Sequence, residues 1–149
     1  MDELSTVSAS TSVQYIVVKL GDERFGINIS YVDNIVRMQR MTRVPEVAPY
    51  IKGVINLRGE VVPVMSTRIK MGLEPDEETN ATRIIILKFE QQGFIGCIVD
   101  AVNEVVTLSS DTIEKVKDSD ETNFVQGVGK TDDGLISILD LNALINEQI

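Results

Sequence analysis

FGINISYVDNIV (Phe25–Val36) returns 70 residues later, with the same spacing of glycine and apolar positions, as IGCIVDAVNEVV (Ile95–Val106). Gly26 falls on Gly96, Val32 on Val102, Ile35 on Val105 and Val36 on Val106. Each stretch follows an apolar run and a turn, YIVVKLGDER in one case and RIIILKFEQQG in the other. Further on, IKGVINLRGEVVPVMST (Ile51–Thr67) is answered by VQGVGKTDDGLISILDL (Val125–Leu141) at an offset of 74. There Gly53 meets Gly127, Val54 meets Val128, Val64 meets Ile138 and Ser66 meets Asp140. Two matched blocks in the same order read as an internal duplication. The change of offset places a four-residue insertion in the second copy, within EKVKDSDETN (Glu114–Asn123).

Within each copy the apolar period is two, not 3.6. YIVVKL, RIIILKF, GFIGCIV, EVVPVM and GLISIL have strand length and are separated by Gly and polar clusters. Asp133-Gly134 in KTDDGL is the strongest hairpin signal, and Gly59, after Arg58, supplies positive φ at the matching turn. Pro63 lacks an N–H, so its strand is expected to be an edge or to kink there. Helices are few: one capped by Ser66 and ending near Gly72, one opened by Asp140 in the matched place. The class is therefore mainly β, with two small barrels leaning on each other across an apolar seam. The acidic GLEPDEETNAT (Gly72–Thr82) connects them. The expected division is a flexible tail over 1–13 and one domain over 14–149. Its subdomains run roughly over 14–72 and 83–149, with room for strands to be exchanged between them.

Composition narrows function by exclusion. The net charge of −9 argues against a nucleic-acid or anionic-membrane ligand, since both need clustered cations. There is no histidine, which removes Ser-His-Asp and Cys-His catalysis and the commonest transition-metal ligand. The single cysteine, Cys97, stands in the apolar FIGCIVDAV and reads as a buried, inert thiol in a reducing compartment. No apolar run reaches the length of a membrane-spanning helix. Gly129-Lys130-Thr131 resembles the end of a phosphate loop, but Phe124 stands where its first glycine is required. KDSDETN (Lys117–Asn123) lacks the glycine and closing glutamate of a calcium loop and reads as a solvated turn. What remains is binding, through exposed strand edges and the groove between subdomains.

FGINISYVDNIVRM, RVPEVAPYIKGVINLRGEVVPV, GFIGCIVDAVNEVV and FVQGVGK, in that order, resemble the CheW family of chemotaxis adaptors. GVINLRG followed by PV is the most specific of these signatures, and the match runs from about Gln14 to Ile145. The resemblance implies two intertwined five-stranded SH3-like barrels, no catalysis and no cofactor. It implies a role in the cytoplasm, at receptor arrays beneath the inner membrane, tying chemoreceptor tips to the histidine kinase CheA through its regulatory domain. Further copies of the adaptor are additional candidate partners. Carried over by motif, the receptor-facing residues are Val32, Gly53, Arg58, Ile84, Gly96, Val102 and Val105. For the aliphatics among them core packing is the competing reading. For Arg58 the choice lies between a partner's carboxylate and an internal tie that shapes the groove. The family often carries an acid at Asn34 and Asp-Leu at Ser66-Thr67, so contacts through those carboxylates are not carried over. Two alternatives share these residues: a CheW-like module derived from a CheA-type kinase, and a small-ligand-binding β-barrel.

Overall fold

The structure, a computed structural model, describes residues 11–116 and 124–146. In chain order the elements are β1 Ser12–Leu20, β2 Glu23–Asn28, β3 Val32–Arg37, β4 Ile51–Leu57, β5 Glu60–Ser66 and α1 Thr67–Lys70. They continue with β6 Arg83–Phe89, β7 Gly93–Val99, β8 Ala101–Ser109, β9 Glu114–Lys115, β10 Val125–Thr131, β11 Gly134–Leu139 and α2 Leu141–Ile145. The first strand thus starts slightly ahead of the expected boundary at 14. Most of the N-terminal tail, and KDSDETN, the larger part of the EKVKDSDETN stretch expected to hold the insertion, fall outside the described residues.

The strands form two sheets, ordered β9-β10-β11-β2-β1-β8 and β3-β6-β7-β5-β4. The sixth strand of the first sheet is the two-residue β9. Each sheet joins a hairpin from one sequence copy to the remaining strands of the other. β2 lies parallel to β11, with Gly26 opposite Ile138, and β7 lies parallel to β5, with Gly96 opposite Val64. These two registers are the same pair of matched positions seen from the two copies. The duplication is therefore a structural two-fold in which the hairpins β1–β2 and β6–β7 have changed places.

The exchange explains why YIVV and RIIIL are unbroken apolar runs. β1 and β6 are buried on both faces, so alternation with polar residues is lost. Tyr15 and Val17 pack inside the first barrel with Leu108, Ile136 and Ile138. Ile84 and Ile86 pack inside the second with Ile55, Val62, Val64 and Ile98. The alternate residues of the same two strands, Ile16, Val18 and Leu20 against Ile85, Leu87 and Phe89, form the seam with Met65, Cys97, Leu139 and Leu144. Residues of one sheet packing on each other require that sheet to curl, which is the barrel expected from the sequence.

Local chemistry follows the pattern at both matched turns. Leu57 pairs with Glu60, leaving Arg58 (φ 53°) and Gly59 (φ 85°) as a two-residue turn with both φ values positive. The Asn56 side chain accepts a hydrogen bond from the Gly59 N–H at 3.1 Å. Asp132 and Asp133 form the other turn, between Thr131 and Gly134. Ser66 caps α1 by accepting from the Ile69 N–H at 3.1 Å, and Asp140 caps α2 by accepting from the Ala143 N–H at 3.1 Å. Even the approach to each cap repeats: the Ser66 N–H donates to the Tyr50 carbonyl at 2.7 Å, and the Asp140 N–H to the Phe124 carbonyl at 2.8 Å. The expectation for Pro63 needs correction. Its strand, β5, is interior, but the parallel ladder to β7 begins only at Val64, so the missing N–H lies just outside it.

Candidate functional site

Four aliphatic side chains lie along the two edge strands that border the seam. Val32 and Ile35 stand on β3, opposite Leu87 and Ile85. Val102 and Val105 stand on β8, opposite Val18 and Ile16. Residues three apart on a regular strand point to opposite faces. An irregularity after Val32, and another opposite Val17 and Val18, insert one residue and restore both pairs to the seam-facing side. Val32 and Val102 pack against the seam core, whereas Ile35 and Val105 are 36% and 50% exposed at its lip. Two matched β-bulges thus build two matched apolar strips. Ile35 completes this set and was absent from the residues carried over by motif. Its match to Val105 in the repeat is the signal that would have found it.

Gly53 and Arg58 belong to a different piece of architecture, the closure of the second barrel. β3 and β4 are the two ends of its sheet. Beyond β3 the chain reaches β4 through a single bridge, in which Thr42 and Val54 exchange N–H···O bonds of 2.9 and 2.8 Å. Gly53 (φ 153°) permits this approach, because a Cβ there would stand 2.6 Å from the Thr42 carbonyl oxygen and 3.0 Å from Met41 Cβ. Arg58 closes the same gap from the hairpin tip, donating from Nη2 to Asp33 Oδ2 at 2.7 Å. The arginine side chain is 64% exposed and the aspartate 26%. Among the described residues Asp33 is the only side-chain partner of Arg58, so much of the guanidinium fork faces solvent.

Ile84 and Gly96 sit inside that barrel. Ile84 is fully buried, and a Cβ on Gly96 would come within 2.8 Å of Ile84 Cγ2 and 3.3 Å of Val64 Cγ2. Gly26 plays the same part in the first barrel, against Ile138 and Ile136. The glycines let the exchanged hairpin settle onto bulky β-branched neighbours. Of the seven residues carried over, Val32, Val102 and Val105 therefore lie at the seam edge, Gly53 and Arg58 at the barrel closure, and Ile84 and Gly96 in the interior.

Charge is used to hold the two barrels in register. Arg68, on α1, grips Asp100 with two parallel hydrogen bonds, Nε to Oδ1 at 2.9 Å and Nη2 to Oδ2 at 2.6 Å. Its remaining nitrogen, Nη1, donates to the Glu74 carbonyl at 3.0 Å. Asp100 also accepts the Gly21 N–H at 2.8 Å, so one carboxylate ties the β1–β2 turn to the step between β7 and β8. The Arg68 hydrogen bonds hold the Asp100 carboxyl below its ordinary range and raise the guanidinium in turn.

The chemistry of catalysis is thinly represented. Cys97 is buried in the seam, and burial pushes its thiol up to about 12, so it carries negligible thiolate near neutrality. Gly129-Lys130-Thr131 lies on β10 and leads into a hairpin, not a helix. Among the described residues no group of three or more Cys, Asp or Glu side chains could hold a metal ion, and no helix is long and apolar enough to cross a membrane.

Comparison with known proteins gives a consistent picture. The family model for the CheW-like domain matches residues 14–148. The chain is 36% identical to the chemotaxis protein CheW of Bacillus subtilis (strain 168), over 96% of this chain and 93% of that one. It is 34% identical to the chemotaxis protein CheW of Helicobacter pylori, over 91% of this chain and 82% of the relative. Among solved structures, the scaffolding protein TtCheW from Thermoanaerobacter tengcongensis superposes with a TM-score of 0.82 at 33% identity, over 93% of this chain and 90% of that chain.

Proposed function

Because the chain belongs to the CheW family, whose members are chemotaxis adaptors, we propose that it couples the cytoplasmic signalling tips of chemoreceptors to a CheA-type histidine kinase without catalysing a reaction. It works in the cytoplasm, beneath the membrane that carries the receptors. The observation that carries the reading is the pair of bulge-built strips, Val32 with Ile35 and Val102 with Val105, on the strands bordering the seam. Partly exposed aliphatics at a groove between rigid barrels suit the apolar stripe of a receptor helix. Gly53 and Arg58 shape this surface by closing the second barrel, and the exposed fork of Arg58 adds a donor for a receptor carboxylate. Ile84 and Gly96 act from within, by setting how β7 lies on β5.

The test is a pair of separate pull-downs, one with a chemoreceptor signalling-tip fragment and one with a CheA-type kinase. Wild-type chain is expected to be retained by both. Val105→Glu is expected to lose the receptor and keep its melting temperature, since the side chain is half exposed. Retention by neither bait refutes the adaptor reading for these partners.

A further inference from the structure

The charge of this acidic chain is unevenly distributed. Between Arg37 and Arg58 stand five cations, Arg37, Arg40, Arg43, Lys52 and Arg58, and one acid, Glu46. This stretch is net +4 in a chain of net −9, so the rest of the molecule carries −13. Arg58 is engaged with Asp33. Among the described residues the side chains of Arg37, Arg40, Arg43 and Lys52, all exposed, make no ion pair or hydrogen bond. Arg37 lies directly opposite Arg83 in the β3–β6 ladder, a juxtaposition of like charges that disfavours the free surface.

The cations adjoin an apolar depression. Val44, Val47, Ile51, Pro63, Ile95 and Ile145 line a cavity of about 430 Å³. Val44 and Val47 are 37% and 42% exposed at its rim. A second depression of about 490 Å³ along the same 43–49 loop shares Val44, Val47 and Ile51 with the first and adds Arg43, Lys52 and the acid Glu46. One loop thus presents aliphatic anchors and unpaired cations next to each other. This surface is separate from the seam-edge strips of Val32, Ile35, Val102 and Val105.

We infer that the 43–52 loop and its two depressions form a docking surface for an acidic amphipathic segment of a partner protein, with apolar residues against Val44 and Val47 and carboxylates over Arg43 and Lys52. The inference rests on the adaptor reading, because an adaptor needs a second surface once its first is occupied. Complementary charge selects the occupant: a basic segment is repelled locally, and a purely apolar one leaves the cations unanswered. Nucleic acid and anionic membrane offer phosphates to the same cations. The remainder of the molecule, with its large negative excess, opposes approach to either extended polyanion.

The experiment uses the full chain, isotope-labelled, titrated with three synthetic peptides of equal length: alternating Glu and Leu, alternating Lys and Leu, and alternating Glu and Ser. The Glu/Leu peptide is expected to shift the amides of residues 43–52 and Ile95, with affinity falling as salt rises. Arg43→Glu with Lys52→Glu is expected to weaken it about tenfold. Val47→Ser, which keeps the charges, is expected to weaken it severalfold. Equal binding of the Lys/Leu or Glu/Ser peptide, shifts confined to other strands, or no shifts at all overturn the inference. Shifts of the same amides that grow with chain concentration alone overturn it in favour of a second copy. Sedimentation with phosphatidylserine vesicles, without peptide binding, overturns it in favour of a membrane. The receptor pull-down depends on Val105 and not on this loop, so failure there and failure here are separate results.

Discussion

Gly53→Ala is the most direct test of how the second barrel is closed. A Cβ at residue 53 would lie 2.6 Å from the Thr42 carbonyl oxygen, well inside contact distance, at φ 153°, where L side chains are strained. Relief requires the 41–42 segment to retreat from β4, which breaks the reciprocal Thr42–Val54 pair of 2.9 and 2.8 Å. Two backbone hydrogen bonds contribute about 1 kcal/mol each. The backbone strain left if the segment does not retreat fully costs about 1–2 kcal/mol more. The sum is roughly 3–4 kcal/mol, a large part of the ~5–15 kcal/mol that holds a domain folded. For a chain of this length it corresponds to a melting temperature lower by roughly 10 °C. Circular dichroism melts measure the shift, and amide hydrogen exchange locates it: Thr42 and Val54 should lose protection while the seam strands β1 and β6 keep theirs. A melting temperature within about 2 °C of wild type, with both amides still protected, would refute the closure argument. If that variant also failed to retain the receptor, Gly53 would be a direct contact.

Three further outcomes follow from the charges and the thiol. Arg58→Ala should cost under ~1 kcal/mol, since the arginine end of the Asp33 pair is largely exposed, yet lower receptor retention; equal receptor retention by Arg58→Ala, Arg58→Lys and wild type sinks any role for the fork. Asp100 has its pKa depressed in the folded state, so its stabilising effect is complete above the ordinary aspartate range near ~4 and is lost as pH falls through the lower folded value. Asp100→Asn should therefore lower stability at neutral pH and flatten its acid limb below pH ~4, and an unchanged acid limb in urea melts argues against the Arg68 clasp. Cys97 should stay unmodified by iodoacetamide at pH 8 in the folded chain and react once the chain is unfolded; rapid labelling of native protein contradicts its burial.

The parts of the fold that depend on short-range pattern were legible in the chain. The turn at Arg58-Gly59, the caps at Ser66 and Asp140, and the matched glycines follow from residue type at a fixed position; the second hairpin was placed one residue late, since Asp132-Asp133 turn and Gly134 already pairs with Thr131. The apolar seam followed from two barrels each too small to stand alone. The pairing that defines the seam was harder to see. Gly26 opposite Ile138 and Gly96 opposite Val64 are parallel contacts between distant segments, and no local sequence signal selects them. The same limit hid Asp33 as the partner of Arg58, 25 residues away. Ile84 shows a different limit: strand period places a residue on a face, but in β6 both faces are interior, so an aliphatic suited to a groove is equally suited to a core. The unpaired cations near Lys52 were averaged away by a net charge summed over the whole chain.

Since each half of the molecule holds the other's hairpin, the chain behaves as a fused dimer of arms already crossed. Severing the peptide between Leu73 and Ala81 would leave two fragments still clasped, because the strands that knit them lie elsewhere. Separating them would mean unzipping four ladders at once, the parallel β2–β11 and β5–β7 and the antiparallel β1–β8 and β3–β6, so neither lobe has a private stability to lose.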